Sequence, residues 1–459
     1  VSSSITESLA LEFAPDARTL DTIVSVLAQH GAHAGGAVAE ATRREALARY
    51  EELPAPGLRP SRGWKHDYAK LRYDGLRWTS DRRTVPTIPF GAAPQGEPDV
   101  DRPALQTENA GGLVHVGATL LEAQDAARGD ARVTLLSLAD AQREHPEIVA
   151  AVHGAVVDWR ADKFAALATA FQNCGAFVYV PDGVQLEAPI QLLFANTEAE
   201  DEAVFPHVVV VVGKGARATV LERHAGEGEH FICGLVEVHV GEGAELDYAV
   251  VQQAGESSRV MFSRGARVAQ DAQMRWHLAD LGGTLVRTVL DAHLGERGAR
   301  AEASALFFNT GMQHVDLTSG ADHAVGPTES DTVVRSAATG RGQGRYVGNI
   351  VIRPRAHGSD ASLRDDALLL SKRAHIDSIP ALEIAANDVK AFHGATVGSL
   401  DEDALFYAGS RGIARNQALR MITLGFFEPV IARFPGEALR DEIRTALDHK
   451  IDEATEIDG

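Results

Sequence analysis

Between residues 176 and 398, short β-rich runs follow one another, each closed by a Gly- or Asp-bearing turn. That punctuation constrains the fold more than any other feature of the chain. Phe177-Val178-Tyr179-Val180 runs into the turn Pro181-Asp182-Gly183, and Val236-Glu237-Val238-His239-Val240 alternates with period two. Gly-Ala pairs open runs at Gly215-Ala216, Gly243-Ala244, Gly265-Ala266, Gly298-Ala299 and Gly320-Ala321, at spacings of 22 to 33 residues. Glycine supplies a positive φ, and alanine fits a tight corner. Runs at this spacing suit a solenoid, in which each coil touches only its neighbours. An antiparallel sandwich with similar turns fits the same pattern.

The flanks read differently. Residues 1–175 are expected to be mainly helical, with an irregular segment. Leu20, Ile23, Val24 and Leu27 share one helical face, and 31–52 is rich in helix formers apart from its glycines. Leu53 to Pro103, dense in Pro, Gly and Trp, reads as irregular and docked. Pro146-Glu147-Ile148 opens a helix, and Phe164, Leu167 and Phe171 repeat at helical spacing. Beyond the β region at 176–398, residues 399–459 return to a helical period. Ser399 is expected to cap a short helix through Phe406. Ala418, Leu419, Ile422, Phe426, Val430 and Ile431 form an apolar stripe. Pro435 opens a last helix with Leu439, Ile443, Leu447 and Ile451 on its apolar face.

Charge narrows the partners. With a net charge of −20, the surface repels phosphate backbones and anionic lipid, so neither nucleic acid nor membrane is expected. The longest apolar stretch, Val204 to Gly213, holds Pro206 and His207 and is too short to span a bilayer. Val1 to Phe13 lacks a basic region followed by an apolar run, so no signal peptide is expected. Cys174 and Cys233 are the only cysteines, too few for a four-thiolate site. They read as reduced, buried thiols, which fits a cytoplasmic location.

A search for self-contained chemistry returns nothing. Gly213-Lys214-Gly215 lacks the phosphate-loop spacing, and Gly340-Arg341-Gly342-Gln343-Gly344-Arg345 reads as a tight β-turn. His314 and His323 lie near Asp316 and Asp322, but they read as polar residues on a solenoid face because no HExxH or CxxC pattern accompanies them. No nucleophile elbow is present. The chain is therefore not expected to be an enzyme. A β-helical carbohydrate-active enzyme is the competing reading from another class. Aromatic content of 6% speaks against it.

One segment stands apart. Ile379 to Gly398 closes the β region, and the alternation in Leu382-Glu383-Ile384 and in Val389 to His393 suggests edge strands that end the solenoid. His393 beside Gly394 is expected near that edge; a structural histidine in a turn is the alternative.

This segment resembles the SufB/SufD family of iron–sulfur cluster assembly scaffolds, on its SufD branch. The likeness runs from about 130 to 434. It includes FVYVPDGVQLEAPIQL at 177–192, Ala299 to Asp316, Ser330-Asp331, LLLSKRA at 368–374, HGATVG at 393–398, Leu405-Phe406-Tyr407 and Ser410-Arg411-Gly412-Ile413. Upstream it is one of style only, around Trp64. A SufB-like reading is the alternative. SufB-like sequences carry an acidic residue after the histidine and an upstream cysteine, whereas no cysteine follows Cys233 here. Some SufD members carry a cysteine just before the histidine, where this chain has Ala391-Phe392.

The resemblance implies a mainly β fold, with a right-handed parallel β-helix flanked by helical N- and C-terminal regions. It implies pairing with a SufB-like subunit through the end of the β-helix, at Leu382, Ile384, Val389, Phe392, Gly394, Thr396 and Val397. It implies His393 at the shared cluster-assembly site. A SufC-like ABC ATPase would dock on the C-terminal helices, at Phe406, Tyr407, Arg411, Ile422, Phe426 and Phe427. An iron–sulfur cluster would be held transiently, with SufB, and not by the isolated chain. Alone, the chain is expected to cover its free edge as a homodimer.

Overall fold

The structure, a computed structural model, describes residues 9–30, 38–56, 68–80, 87–88, 105, 109–124, 132–196 and 201–458. Most of the irregular segment expected at 53–103, Trp64 included, lies outside the described residues, as do 31–37.

The β region is a parallel β-helix. Its strands stack into a 12-stranded and an 11-stranded sheet that face each other across a lumen. Each coil adds one strand to each sheet, in parallel register with the coil before it. In the second sheet Val220, Tyr248, Trp276, Ala303, Thr332, Leu363 and His393 lie side by side on successive strands. Strand alternation sends such residues into the lumen. There Val208, Val236, Leu246, Leu278, Val286 and Ile350 form one continuous buried cluster.

The coil corners explain the glycine repeat and correct it. Gly183, Gly215, Gly243, Asp271, Gly298, Gly358 and Asp388 all take positive φ between strands. The amide of Gly215 donates to Glu242, that of Gly243 to Gln270, that of Asp271 to Arg297, and that of Gly358 to Asp388. Each corner therefore rests on the next. Aspartate tolerates this conformation, so Asp271-Ala272 forms a corner that the Gly-Ala repeat does not mark. Gly265-Ala266 and Gly320-Ala321 are not corners. They lie inside the strands Arg259–Val268 and His314–His323. A Cβ at Gly265 would crowd Val156 and Val157, and one at Gly320 would meet the Asp291 carboxylate. Gly340, at positive φ, forms the expected turn before the strand Gln343–Ile352.

Upstream, α1 (Ala17–His30), α2 (Glu40–Glu52), α3 (Leu138–Glu144), α4 (Pro146–Val152) and α5 (Lys163–Phe171) accompany short strands that extend the sheets. Among these Gly111–Val116 pairs with Ile190–Asn196, an edge that recruits any extended neighbour. α5 buries Phe164, Leu167 and Phe171 against Phe205, Phe231 and Met261. Glu237 fixes the loop before α5. It is fully buried and accepts from the amides of Gly154, Val156 and Val157 and from His207 Nε2 at 2.9 Å. Burial alone would push its carboxyl up, but these donors hold it below the ordinary range.

Downstream, α6 (Glu402–Ser410) is capped by Asp401, which accepts from the amides of Asp403 and Ala404; Ser399 ends the preceding strand instead. α7 (Arg415–Ile431) and α8 (Glu437–Asp458) lie on the outer face of the second sheet. Phe427, Val430, Ile431, Leu439, Ile443, Leu447 and Ile451 pack there against Leu221, Val251, Leu306 and Phe308. Each such burial stabilises by about 2 kcal/mol, which decides the order of helices that would be marginal alone. Arg223 with Glu442 and Arg433 with Asp331 pin the edges of this contact. No helix among the described residues is long and apolar enough to cross a membrane.

Candidate functional site at the solenoid end

The last coil is made of His375–Ile384 and Lys390–Ser399. Each is the final strand of its sheet, hydrogen-bonded on one side to Gln343–Ile352 and Asp360–Leu369, with no described strand on the other. A row of backbone donors and acceptors is left at the edge. So is the rung of side chains that a further coil would bury. Ile352 is 0% exposed, whereas Ile384, its neighbour one coil on, is 44% exposed.

The residues singled out in the sequence divide between two faces here. Leu382, Ile384, His393 and Val397 sit beside the lumen-facing Ile350, Ile352, Leu363 and Ala367 and continue the lumen into the open end. Phe392, Gly394 and Thr396 sit on the outer face, where Phe392 is half exposed beneath the Arg364 guanidinium, 5.6 Å from its ring centre. Val389 follows the corner at Asp388 and packs on the lumen cluster. His393 is exposed and makes no hydrogen bond or ion pair with a described residue.

Just inside the mouth is a group that sequence reasoning missed. Asp365 is wholly buried and lies one strand in from Ala395 on the lumen face. Its Oδ2 accepts from Ser378, which reaches across from the opposite sheet, and its Oδ1 has no partner. Burial pushes the carboxyl up to about 6, against the Ser378 bond and with help from the charge of Asp366. The available signal was an aspartate at the lumen phase of Ala361-Ser362-Leu363-Arg364-Asp365-Asp366-Ala367, a place for apolar side chains.

A second surface lies on α6 and α7. Phe406 and Tyr407 are exposed, and Arg411 donates to Tyr407 Oη at 3.0 Å. Met421, not singled out in the sequence, is exposed beside the half-buried Ile422. Phe426 is half buried and its carbonyl accepts from Arg335. Phe427 must be withdrawn as a docking residue. It is fully buried against Phe308, because the solenoid covers the apolar stripe of α7.

The two other histidines singled out in the sequence are spent internally. His314 bonds the Met312 carbonyl and Gln343, and His323 bonds Thr328 and Ser330. The described residues gather no three His, Cys, Asp or Glu side chains fit to hold a metal. Cys174 and Cys233 are buried, free thiols, and burial pushes both up.

Two family models match this chain. The SUF system FeS cluster assembly, SufBD core domain, covers residues 194–426, and the SufBD protein N-terminal region covers 103–192. An iron–sulfur cluster assembly SufBD family protein of Mycobacterium leprae is 29% identical over 265 residues, which are 57% of this chain and 30% of that one. Iron–sulfur cluster assembly protein SufD of Bacillus subtilis is 27% identical over 70% of this chain and 75% of its own. Protein SufB of the same organism is 28% identical over 69% and 67%. The matched stretch spans 30% of the Mycobacterium leprae relative and 64% of those from Staphylococcus epidermidis.

The Asp365 carboxyl generates a pH dependence. Its folded pKa of about 6 lies above the ordinary 3.8, so the folded chain holds this proton more tightly than the unfolded one. Stability from this group is complete below about pH 4 and is lost as pH rises through about 6, at a cost on the order of 3 kcal/mol. Asp365→Asn should therefore match the wild type in urea unfolding at pH 4 and exceed it at pH 8. A stability difference that is the same at both pH values would contradict this.

Proposed function

We propose, from the premise that the chain belongs to the SufBD family of the SUF iron–sulfur cluster assembly system, that it is a SufD-like, non-enzymatic scaffold subunit. It pairs with a SufB-like subunit through the open end of its β-helix. The observation that carries this reading is the placement of the His393–Gly398 hexapeptide. It forms the last strand, with a free edge and an exposed lumen rung that a matching strand would extend and bury. Identities to SufB and SufD are alike, so the SufD assignment rests on this hexapeptide and on the absence of cysteine after Cys233.

The cluster is cargo, assembled where the two subunits meet. From this chain His393 offers an exposed imidazole that can ligate iron through one nitrogen. Thiolates and the sulfur-accepting chemistry come from the SufB-like partner, since both thiols here are buried and protonated. A SufC-like ABC ATPase docks on the exposed patch of Phe406, Tyr407, Arg411, Met421 and the edge of Ile422, with Phe426 at its margin. The two free thiols suit a reducing, cytoplasmic setting.

His393→Ala should lower iron–sulfur content after anaerobic reconstitution of the full complex by about tenfold or more, with subunit stoichiometry and melting temperature unchanged. Equal cluster yield removes His393 from the site, and a failure to form the complex makes it an interface residue.

Without its partner, the chain covers the same end with a second copy, since each apolar side chain taken from water there contributes about 2 kcal/mol. Sedimentation at tens of micromolar, roughly the range of weak association, should show a dimer that Phe392→Asp or Val397→Asp dissociates. A wild-type monomer at that concentration sinks the proposal.

A further inference from the structure

Among the described residues, the buried lumen-facing carboxylates Glu222, Asp280 and Asp365 differ sharply in their surroundings. Glu222 accepts from Arg264 and His224, both at 2.6 Å, and from Tyr248. Asp280 accepts from Thr288 at 2.9 Å and faces the charge of the same Arg264. Both are neutralised from within the chain. Asp365 has only the hydroxyl of Ser378, an orphaned Oδ1 and no cation. A buried carboxylate oxygen without a partner is costly, and more so when charged. Val334 and Leu363 are buried beside it on the same face.

Its position gives that penalty a use. Asp365 sits on the strand next to that of His393, whose register partner is Leu363. Two lumen-facing positions offset by one strand and two residues have Cα atoms about 8 Å apart. An ion between the two side chains can be reached by both. Carboxylate oxygen and imidazole nitrogen are a donor pair for ferrous iron, with the Ser378 hydroxyl beside them. An imidazole carries no negative charge, so the carboxylate is the anionic donor of the pair.

We infer that Asp365 and His393 form a half-site for a ferrous ion at the mouth of the solenoid, incomplete until the partner subunit closes over it. Two protein donors leave a four- to six-coordinate ion open on the partner's side. Iron can therefore be held at the subunit interface before sulfur arrives. This inference rests on reading the solenoid end as the shared assembly site, but ferrous binding without sulfide is a separate observable from cluster yield.

The test is an anaerobic titration of the full complex with ferrous iron alone, in the absence of sulfide and cysteine, read by equilibrium dialysis and by the Mössbauer signal of the bound ion. Asp365→Asn keeps the shape and the bond to Ser378, and it should weaken one ferrous site by at least about tenfold. His393→Ala should weaken the same site. Asp366→Asn, on the outer face, should leave it unchanged. Should Asp365→Asn fail to assemble, the double variant Asp365→Ala, Ser378→Ala, which removes both ends of the bond, takes its place in the same comparison. Ferrous binding indifferent to Asp365 overturns the half-site and leaves the scaffold reading standing. A wild-type complex that assembles clusters but binds no ferrous ion without sulfide overturns it as well.

Discussion

The interaction on which the rest depends is the parallel register between coils. Each coil satisfies its backbone groups and buries its lumen side chains only because another coil lies beside it. That dependence is local and repeats without a natural stop. At the start, the strands Gly111–Val116 and Thr134–Ser137 and the upstream helices extend or cover the edge. At the other end the structure describes no cap. The chain turns away after Ser399 into helices that run along the outer face of one sheet. Edge amides, a rung of apolar side chains and His393 are thus left facing outward together. An open solenoid end is costly alone and well suited to a partner that continues the same register.

The flanking regions serve this end by stiffening everything behind it. Glu237 ties the loop before α5 to the first coils, and Arg223, Asp331 and Lys450 tie α7 and α8 along the middle ones. The mouth is then a rigid rim whose side chains are positioned by ten-residue strands, not by a loop. α6 and the start of α7 stand clear of this packing and present Phe406, Tyr407 and Met421 to solvent. One surface faces along the solenoid axis and the other faces to its side.

Much of this was legible in the residues. Period-two runs and Gly or Asp corners announced stacked coils, and the return of helical spacing after Gly398 announced the tail. The errors have physical causes. Gly265-Ala266 and Gly320-Ala321 looked like corners because glycine marks both a positive φ and a close approach, and only the structure separates them. Asp271 hid a corner, because aspartate does the work of glycine there. Phe427 was read as available because a single helix cannot reveal which of two adjacent aromatics the solenoid covers. Asp365 went unseen because it stands among three consecutive charged residues, Arg364 to Asp366, and only the register places the middle one in the lumen.

The central claim is that the last coil is a pairing surface. Amide hydrogen exchange of the chain, with and without the SufB-like subunit, tests it most directly. Pairing should slow exchange along His375–Ile384 and Lys390–Ser399, whose edge amides lack a described partner, and leave α8 and the middle coils unchanged. If those two strands exchange at the same rate in the free chain and in the complex, while protection appears elsewhere, the solenoid end is not the interface.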